Sequence, residues 1–427
     1  MGKPHRRVFW IPHPLLNTLK CQKSPVAKER GMGVRVFHTA DWHLGKTLFR
    51  KPRLPEQRRF LENLVAEVRR LDVDLVVIAG DVFDTYTPSA AAEELYFETV
   101  SELSQDGARA VVVVAGNHDS PDRLRAPRSL MVPRGIIVSA YPGMVPASLK
   151  RFAGFSVLDA GPGWIHLAFP HKGADLLLHL VPFASFPRLR EGTGISLEPG
   201  TTFPEAFRAL REVVPGRRNR VLVGHLYVRR GLFATSEDRE DVMDVLGDAY
   251  LLPPEELSGY RAAFLGHLHL PHGDDLWRYA GAPLAFGFGD PPVPRGGWLW
   301  EDGNWEFVEI GGGMELVRLE VDSVDEALAR AQDHSDSWVY LTFPAGLELT
   351  REEMRSLQRA YPHLVGIGFA VPGAVEVPTE LGKGPSLEDP AALFRDFYRR
   401  ARGSDPPEEL VEAFLEHFRE VATGEAA

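Results

Sequence analysis

Five short apolar runs along the chain each end in a cluster of polar residues. Val34–Phe37 leads into Asp41-Trp42-His43, and Leu75–Ala79 into Gly80-Asp81. Val111–Ala115 leads into Gly116-Asn117-His118-Asp119, Val221–Val223 into Gly224-His225, and Ala262–Leu265 into Gly266-His267-Leu268-His269. The runs are short and rich in β-branched residues, which predicts strands. Between the early runs, Phe60, Leu61, Leu64, Val65 and Val68 recur at helical spacing. Strand–helix alternation predicts an α/β layered fold. Such folds place their chemistry beyond the carboxyl ends of strands, which is where each polar cluster falls.

Residues 1–31 are basic and Pro-containing, without clear periodicity. They read as a disordered extension, or as sequence upstream of a true start at Met32. The main body then spans 32–312 and ends at Gly311-Gly312-Gly313. Beyond it, Glu315–Val321, Asp325–Gln332, Trp338–Phe343, Arg351–Ala360 and Val365–Val371 read strand, helix, strand, helix, strand, a small α/β unit over 313–372. Residues 373–386 are rich in Gly and Pro and read as a linker. Two amphipathic helices come next in 387–427, one with Leu393, Phe394, Phe397 and Tyr398, the other with Leu410, Val411, Phe414, Leu415 and Phe418. Asp405, before two prolines and three residues ahead of Glu408, reads as a capped helix start.

Composition narrows the class. At 427 residues the chain is too long for one ordinary core. Hydrophobic content of 44% and charged content of 25% suit a soluble globular protein. No apolar run approaches the ~20 residues of a membrane span. The one cysteine, Cys21, excludes a disulfide framework and a thiolate zinc site within the chain, so a cytoplasmic setting is expected. The net charge of −11 argues at first against a nucleic-acid partner. Yet residues from Glu315 onward hold 22 acidic and 11 basic residues of totals of 59 and 48, leaving 37 of each sign before it. Nucleic-acid binding needs a local basic surface rather than a basic protein.

The polar tips collect Asp41, His43, Asp81, Asn117, His225, His267 and His269, all oxygen or imidazole donors. Such a set suits manganese, magnesium, iron or zinc better than a soft metal. Seven donors exceed one tetrahedral site and fit two ions sharing a carboxylate, with Asp81 the natural bridge. Two ions ~3.5–4 Å apart clamp a phosphate, generate a nucleophile and stabilise attacking and leaving oxygens. His118 is then available to contact the scissile phosphate or protonate the leaving oxygen. Ala40-Asp-Trp-His-Leu-Gly-Lys-Thr47 is not a P-loop, because Ala40 stands where the first Gly is required. Asp84 and Asp119 read either as orienters of donor residues or as simple turn residues. His38 reads as a strand residue, His272 as an exposed loop residue, and His171 and His179 as structural.

The order Asp-x-His, Gly-Asp, Gly-Asn-His-Asp, Gly-His, Gly-His-x-His resembles the calcineurin-like metallophosphoesterases. Within them, His38-Thr39-Ala40-Asp41-Trp42-His43-Leu44-Gly45-Lys46, Gly80-Asp81-Val82-Phe83-Asp84 and Tyr279-Ala280-Gly281-Ala282-Pro283-Leu284 resemble the SbcD family of DNA-repair nucleases. The likeness covers about residues 32–420, with Ala280-Gly281-Ala282 in place of a more usual Ser/Cys-Gly-Ser. It implies a layered α/β sandwich as the nuclease domain over 32–312, with a small α/β DNA-binding cap and a C-terminal helical hairpin. It implies one metal on Asp41, His43, Asp81 and His269, the other on Asp81, Asn117, His225 and His267, and His118 as the catalytic histidine. It further implies two divalent ions with manganese preferred, 3′→5′ exonuclease action on duplex ends, and endonuclease action on single strands and hairpins. A homodimer and an SbcC-type ATPase partner complete the implication. The partner would be bound through Leu393, Phe397, Leu410, Phe414 and Phe418. The dimer contact would lie in the region of Leu95, Phe97, Leu130 and Met131.

Basic residues gather near the tips. Lys46, Arg50, Lys51, Arg53, Arg58 and Arg59 stand against Glu56 alone; Arg123, Arg125 and Arg128 come after the Gly-Asn-His-Asp motif; Arg217, Arg218 and Arg220 precede His225, and Arg229 and Arg230 come after it. Lys46, Arg50, Lys51, Arg53, Arg123, Arg125 and Arg229 are the expected DNA-backbone contacts. Two rival classes remain. A small-substrate phosphoesterase needs neither cap nor terminal helices, and a non-enzymatic scaffold needs a broken donor set.

Overall fold

Val, Ile, Leu and Ala fill Leu75–Ala79 and Ala110–Val114 without a polar break, and both strands are buried along their whole length. Strands of this kind sit in the middle of parallel sheets covered on both faces. A computed structural model places them there; it describes residues 33–192, 198, 200–228, 250–370 and part of 391–415. The first sheet is six-stranded and runs Asn304–Glu309, Gly296–Glu301, Arg35–Thr39, Leu75–Ala79, Ala110–Val114, Ile136–Ser139. Arg35–Thr39, Leu75–Ala79, Ala110–Val114 and Ile136–Ser139 pair in parallel; Gly296–Glu301 joins antiparallel beside Arg35–Thr39.

A second sheet of eight strands centres on Ala174–Val181, Arg220–His225, Ala263–Gly266 and Trp277–Tyr279, all mutually parallel. The sheets share one apolar interior. Val36, Leu75, Val77, Val112 and Val114 of the first meet Leu178, Leu180, Val221, Val223 and Phe264 of the second. The helices Leu54–Arg70 and Ala90–Ser104 cover the outer face of the first sheet through Phe60, Leu64, Val68, Leu95, Tyr96 and Val100. The expected α/β layers are present, and each of the five apolar runs is a strand. Their ends shift by a residue or two, as at Arg35–Thr39 and Ala110–Val114.

Of the histidines read as structural, two are buried and His171 is exposed. His38 is fully buried edge-on to Phe264 at 5.4 Å, and burial pushes its imidazole down to about 3, so it stays neutral. His179 is likewise pushed down to about 3 by burial, with Arg220 adding, and is hydrogen-bonded to the Tyr260 hydroxyl at 2.6 Å. His171 meets Asp74 at 2.6 Å. His272 departs from expectation. It is buried in the two-residue strand His272–Gly273, stacked on Tyr279 at 4.8 Å, with Nδ1 bonded to the Leu270 carbonyl. An imidazole with a backbone partner and an aromatic face fits a dry interior that its polar neighbours in sequence did not suggest.

The cap sheet is Glu315–Glu320, Ser337–Phe343 and Leu364–Phe369, parallel throughout. Leu319, Val339, Leu341 and Phe343 share a core with Ala327 and Leu357 of the helices Val324–Arg330 and Arg351–Ala360. A capping box, Thr350 with Glu353, starts the second helix. On the opposite sheet face, Tyr340 lies 5.7 Å from Phe49 and 6.0 Å from Phe288, two rings of the same compact unit.

A second compact unit begins past Phe369. Among its described residues Phe394, Arg395, Tyr398 and Arg399 are helical, as are Glu408, Leu410, Val411, Glu412, Phe414 and Leu415. Phe394 stacks on Phe414 at 4.4 Å, and Arg395 pairs with Glu408. Asp405 pairs with Arg399 rather than capping a helix. The linker 373–386, the extension before Met32, and Leu393, Phe397 and Phe418 lie outside the described residues.

The shared interior makes a stability prediction. Phe264→Ala, fully buried between the sheets, should lower unfolding free energy by about 3–5 kcal/mol. Leu149→Ala, an exposed residue, should change it by no more than about 0.5 kcal/mol. Denaturant unfolding of both variants checks this.

Candidate metal centre

The loops after the strands converge because their backbones adopt conformations that side chains normally avoid. Asp41, His43 and Asp81 have φ of 52°, 44° and 47°. Non-glycine residues there carry strain that persists only where surroundings fix it. Three backbone bonds fix it here. The N–H groups of Asp41, His43 and Leu44 donate to the carbonyls of Gly80, Asp81 and Val82 at 3.0, 2.9 and 2.9 Å. Gly116 lets the third loop press against them, since a Cβ at that position would sit 1.9 Å from Asp81 Oδ1.

Six of the seven expected donors are buried, and the structure brings all seven together. Asp41, His43 and His269 form one group whose ligand atoms lie within 4.8 Å of one another; Asp81, His225 and His267 form a second on the same measure. His225 Nε2 lies 3.2 Å from Asp81 Oδ2 and 2.9 Å from Asn117 Oδ1, which brings Asn117 into the second group. His43 Nε2 lies 3.6 Å from the same Asp81 oxygen, so Asp81 stands between the groups. His118 reaches His43 and Asp81 within that 4.8 Å limit. Its ring is held by Nδ1 against the Asp84 carbonyl at 3.0 Å, and its backbone N–H donates to Asp81 Oδ1 at 2.9 Å.

The electrostatics are those of a pocket built around positive charge. Burial pushes the Asp41 carboxyl well above the usual range, with Asp81 adding to the rise. Burial would raise Asp81 too, but His225, His118 and His43 hold it well below. Burial works against a charged His225, and the carboxylates of Asp81 and Asp41 overcome it, raising that imidazole to about 9. Thus the site favours positive charge, which a bound divalent cation would supply. Among the described residues, Asp41 Oδ2 and His267 Nε2 are buried with no hydrogen-bond partner. Unsatisfied buried polar atoms of this kind are costly, and together with the all-oxygen-and-imidazole set they fit hard or borderline divalent ions.

Residues around the donors lock them in place. Asp119 accepts from the backbone N–H groups of Gly116, Val82 and Phe83 at 2.8, 3.2 and 3.0 Å, stitching two loops together. Asp84 receives Lys46 Nζ at 2.9 Å and lies 3.4 Å from His43 Nδ1. Of the alternatives open on sequence, Asp84 therefore orients His43, while Asp119 braces the loop backbones. Two further residues escaped sequence reasoning. Gln57 donates to the Trp42 and His43 carbonyls at 3.1 and 2.7 Å and accepts from Gly45 N–H at 3.0 Å. Arg188 is buried, and its guanidinium binds the carbonyls of Gly116 and Asp119 at 2.7 and 2.9 Å and the Tyr86 hydroxyl at 2.5 Å. A signal for Arg188 existed: it lies just past the apolar strand Ala174–Val181, which also ends on this side but without a Gly-polar tip.

Comparison with known proteins agrees with this geometry. The calcineurin-like phosphoesterase family model matches residues 34–271. The chain is 32% identical over 406 residues to the D subunit of nuclease SbcCD from Bacillus subtilis, covering 90% of this chain and 97% of that relative. The chain belongs to the SbcD family of calcineurin-like phosphoesterases. The corresponding subunit of Rhodobacter capsulatus is 30% identical over 279 residues, 59% of this chain and 62% of that protein. That of Escherichia coli K12 is 40% identical over 137 residues, 32% of each chain. SbcD-family membership makes this protein a metal-dependent phosphodiesterase of the nuclease class.

The expected DNA-contacting residues divide. Arg50 and Lys51 are exposed on the turn after the Asp41 loop. Lys46 pairs with Asp84, Arg123 with Glu93 and Arg125 with Asp122, the last two pairs near the surface. Arg53 is a correction. It is 1% exposed and spent on Glu56, with Nε at 2.7 Å, so it cannot reach a phosphate backbone. Arg229 lies outside the described residues.

Arg188→Ala should leave the chain folded but weaken divalent-metal affinity about 10–100-fold, as loss of a residue behind the donors does. Metal titration by calorimetry checks it.

Proposed function

We propose that this chain is the nuclease subunit of a DNA double-strand-break processing complex. It hydrolyses phosphodiesters with two divalent ions, manganese foremost, as a 3′→5′ exonuclease on duplex ends and an endonuclease on single strands and hairpins. The observation that carries the reading is Asp81 standing between two buried donor groups, with His118 beside both. Asp41, His43, Asp81 and His269 would hold one ion; Asp81, Asn117, His225 and His267 would hold the other. When bound, such a pair supplies Lewis acidity toward the phosphate and lowers the pKa of the attacking water. His118, fixed by the Asp84 carbonyl, gives the leaving oxygen its proton. Arg50 and Lys51 hold the DNA backbone, and the cap adds a second contact to long substrates.

The relatives are named as one part of the SbcCD nuclease, and we extend an SbcC-type ATPase partner to this chain. Leu410 and Phe414, with Leu393, Phe397 and Phe418, are the residues offered to it. The chain works as a homodimer through the exposed Leu130 and Phe97; Leu95 and Met131 of the same region are buried and serve the core. Among the described residues no helix is long and apolar enough to cross a membrane, and a cytoplasmic setting fits the DNA substrate.

Asp81→Asn should lower metal content and abolish cleavage of a labelled duplex. His118→Ala should keep its metal and lose about 10²–10⁴-fold in turnover. Elemental analysis beside a nuclease assay, run metal by metal with defined DNA ends, reads both; a fully active His118→Ala protein removes that role. Light scattering at micromolar concentration should give a dimer that Leu130→Asp weakens. Deleting residues 387–427 should abolish pull-down of the ATPase while manganese-dependent cleavage survives.

A further inference from the structure

Four donors converge on one buried carboxylate in the first turn of the Leu54–Arg70 helix. Glu56 is 2% exposed. Its Oε1 accepts from Arg53 Nη2 at 3.1 Å and from the backbone N–H of Met314 at 2.7 Å. Its Oε2 accepts from Arg53 Nε at 2.7 Å and from the indole Nε1 of Trp338 at 2.8 Å. Met314 leads into the cap and Trp338 lies within its central strand. A buried charge is tolerated only when its lone pairs are met, and here two of the four bonds come from the cap side.

The same helical turn grips the metal loops. Gln57, the next residue, holds the Trp42 and His43 carbonyls. Arg53 donates through Nη1 to the Ala285 carbonyl. The neighbouring Phe286 ring lies 5.3 Å from His43 and 5.5 Å from His269. Four consecutive links thus run from the cap, through Glu56, Arg53 and the Ala285-Phe286 segment, to two of the donor histidines.

We propose that Glu56 is a positioning residue that latches the cap to the loops carrying His43 and His269. A substrate long enough to touch the cap is then held in register with the metal centre, while a small diester is indifferent to the latch. The inference rests on the nuclease reading above and deepens it.

Trp338→Phe tests it, since it keeps a ring and removes one donor. KM for a duplex oligonucleotide should rise about tenfold, the scale of one hydrogen bond to a charged group. Turnover of bis(p-nitrophenyl) phosphate should stay within about twofold, because nothing at the donors has changed. Hydrogen–deuterium exchange should quicken at Met314 and Ser337–Phe343 and stay unchanged at Leu75–Ala79. Adding Glu56→Gln should worsen DNA cleavage no further than the more impaired single variant, because both changes break one link. Equal loss on both substrates, additive losses, or unchanged exchange at Met314 and Ser337–Phe343 would each overturn the latch. A parent chain that cleaves the diester but no DNA removes the nuclease reading instead; the exchange measurement then decides the latch by itself.

Discussion

Carboxylates and imidazoles kept dry together are the constraint on which the structure depends. Asp41, Asp81 and Asp119 are almost fully buried beside His43, His225, His267 and His269. Isolated ionised groups in such surroundings would neutralise or unfold the site. Two parallel sheet centres solve the problem by ending their strands at one edge, where loop backbones can brace one another. The positive φ of Asp41, His43 and Asp81 is the visible strain of that convergence. Asp119, Arg188 and Gln57 hold the backbone of the loops that carry the donors. The strands Leu75–Ala79 and Ala110–Val114 supply the rigidity, and their apolar composition is a requirement of the site as much as of the core.

The strands and donors were legible in the sequence for a physical reason. A strand buried on both faces reads as an unbroken apolar run, and the residues beyond its carboxyl end are exposed to the site by topology. Asp41, His43, Asp81, Asn117, His225, His267 and His269 all obey that rule. The rule is silent on pairing across the chain. Arg53 looked like one of a run of surface cations, because Glu56 three residues on appeared to be a lone acid; the two neutralise each other inside the protein. His272 looked like a loop residue, because Tyr279, the ring it stacks on, is brought to it only by a short antiparallel pairing. Gln57 carries no motif, and the one signal for Arg188 is its place past the strand Ala174–Val181. Their role is to bind carbonyls, and carbonyls leave no trace in sequence.

Glu56 extends the same economy beyond the site. The Leu54–Arg70 helix was predicted from its apolar stripe, Phe60, Leu64 and Val68, which faces the sheet. Its first turn does a different task, with Arg53, Glu56 and Gln57 facing the Asp41 loop on one side and Trp338 on the other. One helix end therefore touches both the metal loops and the cap. The aromatic contacts of Tyr340 with Phe49 and Phe288 line the same seam.

The central claim is that Asp81 bridges two ions, and electron paramagnetic resonance of the manganese-loaded protein tests it most directly. Two ions sharing one carboxylate should titrate at two per chain and give an exchange-coupled spectrum that Asp81→Asn converts to that of isolated ions or abolishes. A single ion per chain, or two ions with the six-line spectrum of uncoupled manganese in the unaltered protein, would contradict it.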